Sequence, residues 1–189
     1  MASPPERAPA PNAARDDVAA PALDPWAALV AADPPLTLTS PAWTAHVAHV
    51  HASCSKPTIK KFRDATYWTD TAAGIEYCFD AVPGGAPNAH VLAAIHISNP
   101  PHAVLGLVPG RATGRDVVAM LGEPSRKGGG GRMDIFVVYE PVLSGKVASA
   151  VLPNPVASKL GLQVDFDARV WDSGDVVPVV KTIVLYTLR

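Results

Sequence analysis

Three histidines, His46, His49 and His51, stand within six residues, and Cys54 follows three positions later. Imidazole and thiolate are the usual protein ligands of zinc and its neighbours. On a helix, positions 46 and 49 would share a face. A catalytic metal needs a third converging ligand and usually a carboxylate, yet no Asp or Glu stands between Asp33 and Asp64. The residues therefore read first as a solvated, alanine-rich helix face, with a metal-dependent enzyme using the His46/His49 region as the rival.

Other chemistry is thinner. Asp80 and Asp167 hold matching strand ends and would be an acid–base pair, although an Asp there more simply bonds nearby turn amides. The run Arg126-Lys127-Gly128-Gly129-Gly130-Gly131-Arg132 is glycine-rich, but no Lys-Ser/Thr follows it and a strand comes next, so it is read as a flexible hairpin loop and not a phosphate cradle. No Gly-x-Ser-x-Gly elbow offers a nucleophilic serine. Basic residues gather at Lys56, Lys60, Lys61 and Arg63, and again at Arg126, Lys127 and Arg132. Both groups are read as loops before strands, on one edge of the fold, with weak contact to anionic lipid as their candidate role.

The elements that must position these groups are announced by a repetition. Gly74-Ile75-Glu76-Tyr77-Cys78-Phe79-Asp80-Ala81 returns 87 positions on as Gly161-Leu162-Gln163-Val164-Asp165-Phe166-Asp167-Ala168. Each copy puts an apolar group at every second position, the signature of a strand with one face on a core and one toward water. A turn and a second β-rich run follow each copy, at 91–97 and 179–186. Asp24-Pro25-Trp26 and Ser40-Pro41 open two short helices, the second carrying Trp43, Val47 and Val50 on one stripe. Thr113 to Leu121 reads as a capped helix closed by Gly122 and Pro124.

Composition fits this plan. The chain has 189 residues and a formal net charge of −1, which gives no electrostatic reason to expect nucleic acid. Its two cysteines, Cys54 and Cys78, form neither a zinc spacing nor a disulfide framework, so a reduced setting, cytosolic or nuclear, is expected. No secretory leader and no membrane span is legible. Nine of the 20 prolines fall in the first 41 residues, and residues 1–22 read as a disordered tail.

The pattern Gly110, Asp116-Val117, Met120-Leu121-Gly122, Pro124, then Arg132-Met133, Gly161, Val164, Phe166-Asp167-Ala168 and Val180-Lys181, Ile183-Val184-Leu185 resembles the phagosome assembly factor 1 family. The resemblance is best over residues 106–189, fainter over 66–98, and makes the chain a short or partial relative. It implies a non-enzymatic cytosolic protein that associates with a WD-repeat β-propeller and is recruited to the phagophore, the Golgi or other endomembranes. The helix-plus-strands order is also similar to modules of bacterial envelope lipoproteins and β-lactamase inhibitor proteins, which implies a small inhibitor-like binding protein as an alternative.

The expectation is thus an α+β protein of two pseudo-repeats, 23–102 and 103–189, each a helix packed on an antiparallel sheet. Glu76, Asp80, Gln163, Asp165 and Asp167, with Cys78, are expected on a mildly acidic sheet face. Trp68, Tyr139, Trp171 and Tyr186 are expected near its edges as anchors. Partner binding is assigned to Glu76, Asp80, Gln163, Asp165, Asp167 and Trp171, with no metal, cofactor or catalytic residue.

Overall fold

The structure, a computed structural model, describes residues 24–52, 56–86, 89–98, 102–141, 158–171 and 177–188. The expected tail at 1–22, Cys54, and most of the surface excursion expected at 141–158 lie outside the described residues.

Two short helices come first, α1 (Pro25–Val30) and α2 (Pro41–Val50). Four strands follow, β1 (Thr58–Lys61), β2 (Ala65–Asp70), β3 (Ile75–Ala81) and β4 (His90–Ile97). Helix α3 (Gly114–Leu121) precedes four more, β5 (Arg126–Gly130), β6 (Met133–Tyr139), β7 (Leu160–Phe166) and β8 (Val180–Thr187). All eight form one antiparallel sheet in the order β1-β2-β3-β4-β8-β7-β6-β5. Each group of four is a meander, and the two meet where β4 pairs with β8.

Each helix begins where its sequence says it should. Asp24 Oδ1 accepts from the amides of Trp26 and Ala27, and its Oδ2 accepts from Leu105 N at 2.7 Å, so one carboxylate caps α1 and pins a distant turn. Ser40 accepts from Trp43 N ahead of α2. Thr113 and Asp116 close a reciprocal capping box on α3.

One face of the sheet carries the core. Tyr77 and Phe79 of β3, Ile95 of β4, Val164 and Phe166 of β7 and Leu185 of β8 are buried there. Trp43 of α2 meets Trp68, Tyr77 and Phe79 edge to face at centroid distances of 5.6, 4.8 and 5.0 Å. A cluster of rings like this anchors a helix of low intrinsic amphipathicity through a single large side chain. In α3, Val117 and Leu121 do the same work by spacing.

The ladders of the two meanders coincide. In β3/β4 the register jumps between Cys78 and Phe79, leaving Ala93 unpaired; in β7/β8 it jumps between Asp165 and Phe166, leaving Lys181 unpaired. Leu92 N donates to Leu36 O and Val180 N to Ala112 O, both at 2.8 Å, just beside those bulges. Thr37 bridges Val91 ahead of α2, and Thr113 bridges Val179 ahead of α3.

Two expectations need correction. Residues 126–130 are a strand and not a loop: backbone pairing with β6 needs no side chain, and the Phe136 ring lies where a Cβ on Gly128 would be, at 2.4 Å. Gly129 at the bulge, Gly130 at the strand end and Gly131 in the turn all take positive φ. Residues 58–61, part of the first basic run, also form a strand.

Candidate functional site

The other face of the sheet is crossed by no helix among the described residues. Reading across it at one level, the register gives Thr58, Thr69, Glu76, His96, Val184, Gln163, Val138 and Arg126, one residue per strand. Asp165 lies one step away, opposite Thr182. Glu76, His96, Asp165, Thr182 and Ser98 line a shared depression of about 460 Å³ on this face, across the middle strands and beside the β2–β3 turn at Thr71 and Gly74. Thr69 Oγ1 donates to Glu76 at 2.9 Å, and Gln163 Nε2 donates to Asp165 at 2.8 Å. Burial pushes the His96 imidazole below its ordinary value, while Glu76 and Asp165 pull it the other way. The centre is therefore acidic, with a neutral-leaning imidazole between two carboxylates.

The expected partner-binding set divides. Glu76, Gln163 and Asp165 share the open face with His96. Asp80, also on that face, accepts from the Cys78 thiol at 3.4 Å and lines a separate depression with Phe62, Asp64 and Tyr67. Asp167 is exposed just past β7, close enough to Lys181 to help hold its ammonium charged.

Trp171 lies elsewhere, on the helix side, in a depression of about 650 Å³ with Val117, Val118, Phe166 and Pro178. Trp68 and Tyr139, expected as edge anchors, are buried in the core, because their strand parity points them at the helices. Aromatic groups on the open face include Tyr67, with Phe62 5.8 Å from it, Phe136 and Tyr186. Tyr186 covers Gly161, whose added Cβ would meet its ring at 2.2 Å, and its hydroxyl donates to Glu140.

The basic groups do not share an edge. Lys60 and Lys61 are on β1, with Arg63 in the following turn; Arg126 and Lys127 are on β5, with Arg132 in the next turn. Those strands are opposite edges of the sheet, roughly 33 Å apart at the usual strand spacing. Lysine on an edge strand also discourages pairing with another chain.

The expected solvated, alanine-rich face holds for His49, exposed with Ala45 and Ala48, but not for His46 and His51. His51, at the C-terminal cap of α2, puts Nδ1 2.8 Å from Asp70 Oδ2 and Nε2 2.7 Å from the Tyr77 hydroxyl. The same hydroxyl lies 2.6 Å from His46 Nε2. Asp70 Oδ1 accepts from the amides of Ala72 and Ala73, which fixes the carboxylate. His51 and Asp70 are buried, and His46 lies between core and surface. Burial, then the neighbouring His51 and His49, hold His46 down to about 4, and desolvation pushes the Tyr77 phenol above its ordinary range. His46 and His49 do share a face, and line one cleft together with Trp26 and His102.

Sequence reasoning missed Asp70 and Tyr77. Tyr77 sits in an apolar alternation and reads as ordinary core, and Asp70 lies 19 residues from His51. Only the pairing of β2 with β3 brings the two together. Among the described residues no group of three or more His, Cys, Asp or Glu is arranged to hold a metal ion, and no helix is long and apolar enough to cross a membrane. No family model matches the chain, and neither a curated protein nor a solved structure matches it.

Proposed function

We propose that the chain is a non-catalytic interaction module made of two copies of one unit, a helix followed by a four-stranded meander, whose open sheet face receives a protein partner. Several coincidences support the duplication. The bulges fall at the same place in both ladders, the chain ahead of α2 and of α3 docks beside them alike, and Glu76 and Gln163 flank the central His96–Val184 pair symmetrically.

The observation that carries the binding role is the depression lined by both Glu76 and Asp165, on a face that no helix covers among the described residues. Carboxylates in such a setting suit a lysine or arginine from a partner, with Tyr67, Phe136 and Tyr186 supplying apolar contact around it. Following the resemblance to the phagosome assembly factor family, the partner is a WD-repeat β-propeller, and the setting is autophagosome formation or endomembrane traffic in the cytoplasm. Contact of the two basic edges with anionic lipid is a weak, secondary attachment, since each basic residue contributes on the order of 1 kcal/mol.

The test is recovery of tagged protein from its own cells, alongside Glu76→Lys, Asp165→Lys and Trp171→Ser. A propeller protein recovered with the parent and with Trp171→Ser, and lost with both lysine variants, supports this reading. Loss with Trp171→Ser alone moves the surface to the helix side, and recovery of no partner by the parent overturns the adaptor.

A further inference from the structure

The Asp70–His51–Tyr77–His46 chain ends at a cleft, and the fold does not need it. The two meanders place Tyr77 and Val164 at the same ladder position, opposite Ile95 and Ile183 respectively. The matching helix ends are also tied to matching strand ends: His51, capping α2, meets Asp70 of β2, while Tyr139 of β6 donates to Gly122 O, the cap of α3, at 3.0 Å. The second meander thus completes the same architecture with one hydrogen bond and an apolar Val164. Four polar side chains in the first are more than the tie requires, and each must be satisfied to be tolerated in a core.

Hydrogen-bond bookkeeping gives the chain a direction. The Asp70 carboxylate accepts, so His51 Nδ1 donates to it. In the neutral form of an imidazole that donates from Nδ1, Nε2 accepts, and the Tyr77 hydroxyl then donates to it. Tyr77 has no second proton, so His46 Nε2 donates to the phenol oxygen. In this arrangement His46 carries its proton on Nε2, and Nδ1 keeps a lone pair and no hydrogen bond to a described residue.

His46 lines a cleft of about 570 Å³ with Pro25, Trp26, His49, Val50, His102 and Ala103. That size suits a small-molecule site, as do walls that set Trp26 and apolar groups beside three imidazoles. Trp26 stands edge-on to both His46 and His102, at 5.9 and 5.3 Å. Among the described residues no carboxylate, lysine or arginine lines it, and its polar groups are the imidazoles of His46, His49 and His102.

We propose that this cleft binds a neutral aromatic small molecule that donates one hydrogen bond to His46 Nδ1, with Tyr77, His51 and Asp70 holding that nitrogen as an acceptor. The ligand class is a fused or substituted aromatic ring with one hydroxyl or N–H. The site lies on the helix side of the sheet.

The experiment is a titration of the full chain with 2-naphthol and with its methyl ether, read by long-range ¹⁵N correlation of the imidazoles, His46 being assigned with His46→Gln. The free protein shows His46 protonated on Nε2. Adding 2-naphthol shifts the Nδ1 resonance saturably, and the ether, which cannot donate, binds about five- to tenfold more weakly. Ala103→Trp fills the cleft from an exposed position and abolishes the shift, with Val50→Trp as a second filling variant should the first fail to fold. The proposal is overturned by a free His46 protonated on Nδ1, by no saturable shift up to the solubility limit, by equal affinity for alcohol and ether, or by binding that survives a folded, filled variant.

Discussion

The Tyr77 hydroxyl stands 2.7 Å from His51 Nε2, in a part of the core where both side chains are almost wholly removed from water. Tyr77→Phe keeps the ring and its contacts with Trp43, but strands a buried imidazole nitrogen. An unsatisfied buried polar atom costs about 1–3 kcal/mol. The urea midpoint of Tyr77→Phe is expected to fall accordingly with an unchanged slope, whereas Val164→Thr would add a hydroxyl with no such partners. An unaltered midpoint for Tyr77→Phe would mean that water already satisfies His51.

Acid should weaken the fold before the carboxylates titrate fully. His46 is held at about 4 by burial, while an unfolded histidine takes up a proton near its ordinary value of 6.5. Between these two the unfolded chain binds more protons, so stability falls as pH drops through that window and levels off, for this group, below about 4. His96 and His102 are lowered by burial as well and act in the same direction. Urea midpoints measured from pH 7 to 4 should decline, and His46→Gln should flatten the decline. A curve of the same slope in that variant would assign the effect elsewhere.

Cys78 is expected to be a poor nucleophile. Burial, then the charges of Asp80 and Glu76, push its thiol up to about 11, against a hydrogen bond from Tyr67 that favours the thiolate. At pH 8 its thiolate fraction would be on the order of a hundredfold below that of a free cysteine. In a Cys54→Ser background, alkylation by iodoacetamide at pH 8 should be correspondingly slow and should accelerate on unfolding. Reaction at the rate of a free thiol would show that this face opens readily.

Gly161 and Tyr186 should behave as a pair. A methyl group at 161 would meet the Tyr186 ring at 2.2 Å, so Gly161→Ala forces the ring off its rotamer or bends β7, at about 1–3 kcal/mol. Tyr186→Ala removes the obstacle, and the double variant should lose less than the sum of the two single losses. Additive losses would place the cost in the backbone of β7 and not in the ring.

The core strands and all three helix starts were legible because each is announced locally: alternation at 75–79 and 162–166, and caps at Asp24, Ser40 and Thr113. The edge strands were not. β5 is Arg-Lys-Gly-Gly-Gly, whose pairing rests on backbone amides and on the Phe136 ring eight positions after Gly128. The same blindness to tertiary placement put Trp68 and Tyr139 on the wrong face and the two basic groups on one edge. At the candidate sites, the polar alternation around Glu76, Gln163 and Asp165 was visible. The role of Asp70 and Tyr77 was not, because nothing within one turn or one strand links either to a histidine.

The order in which the strands leave the ribosome bears on how this sheet is made. β8 comes after all the others in the chain, yet it is central, paired with β4 on one side and β7 on the other. Until it emerges, the apolar rim of β4 has no neighbour, and two incomplete sheets wait with their most aggregation-prone margins turned outward. The chain closes from the middle, as a zip whose slider arrives last. Any nascent-chain helper this protein engages is expected to act on β4 and β7, and to be released when Ile183 and Leu185 take their places between them.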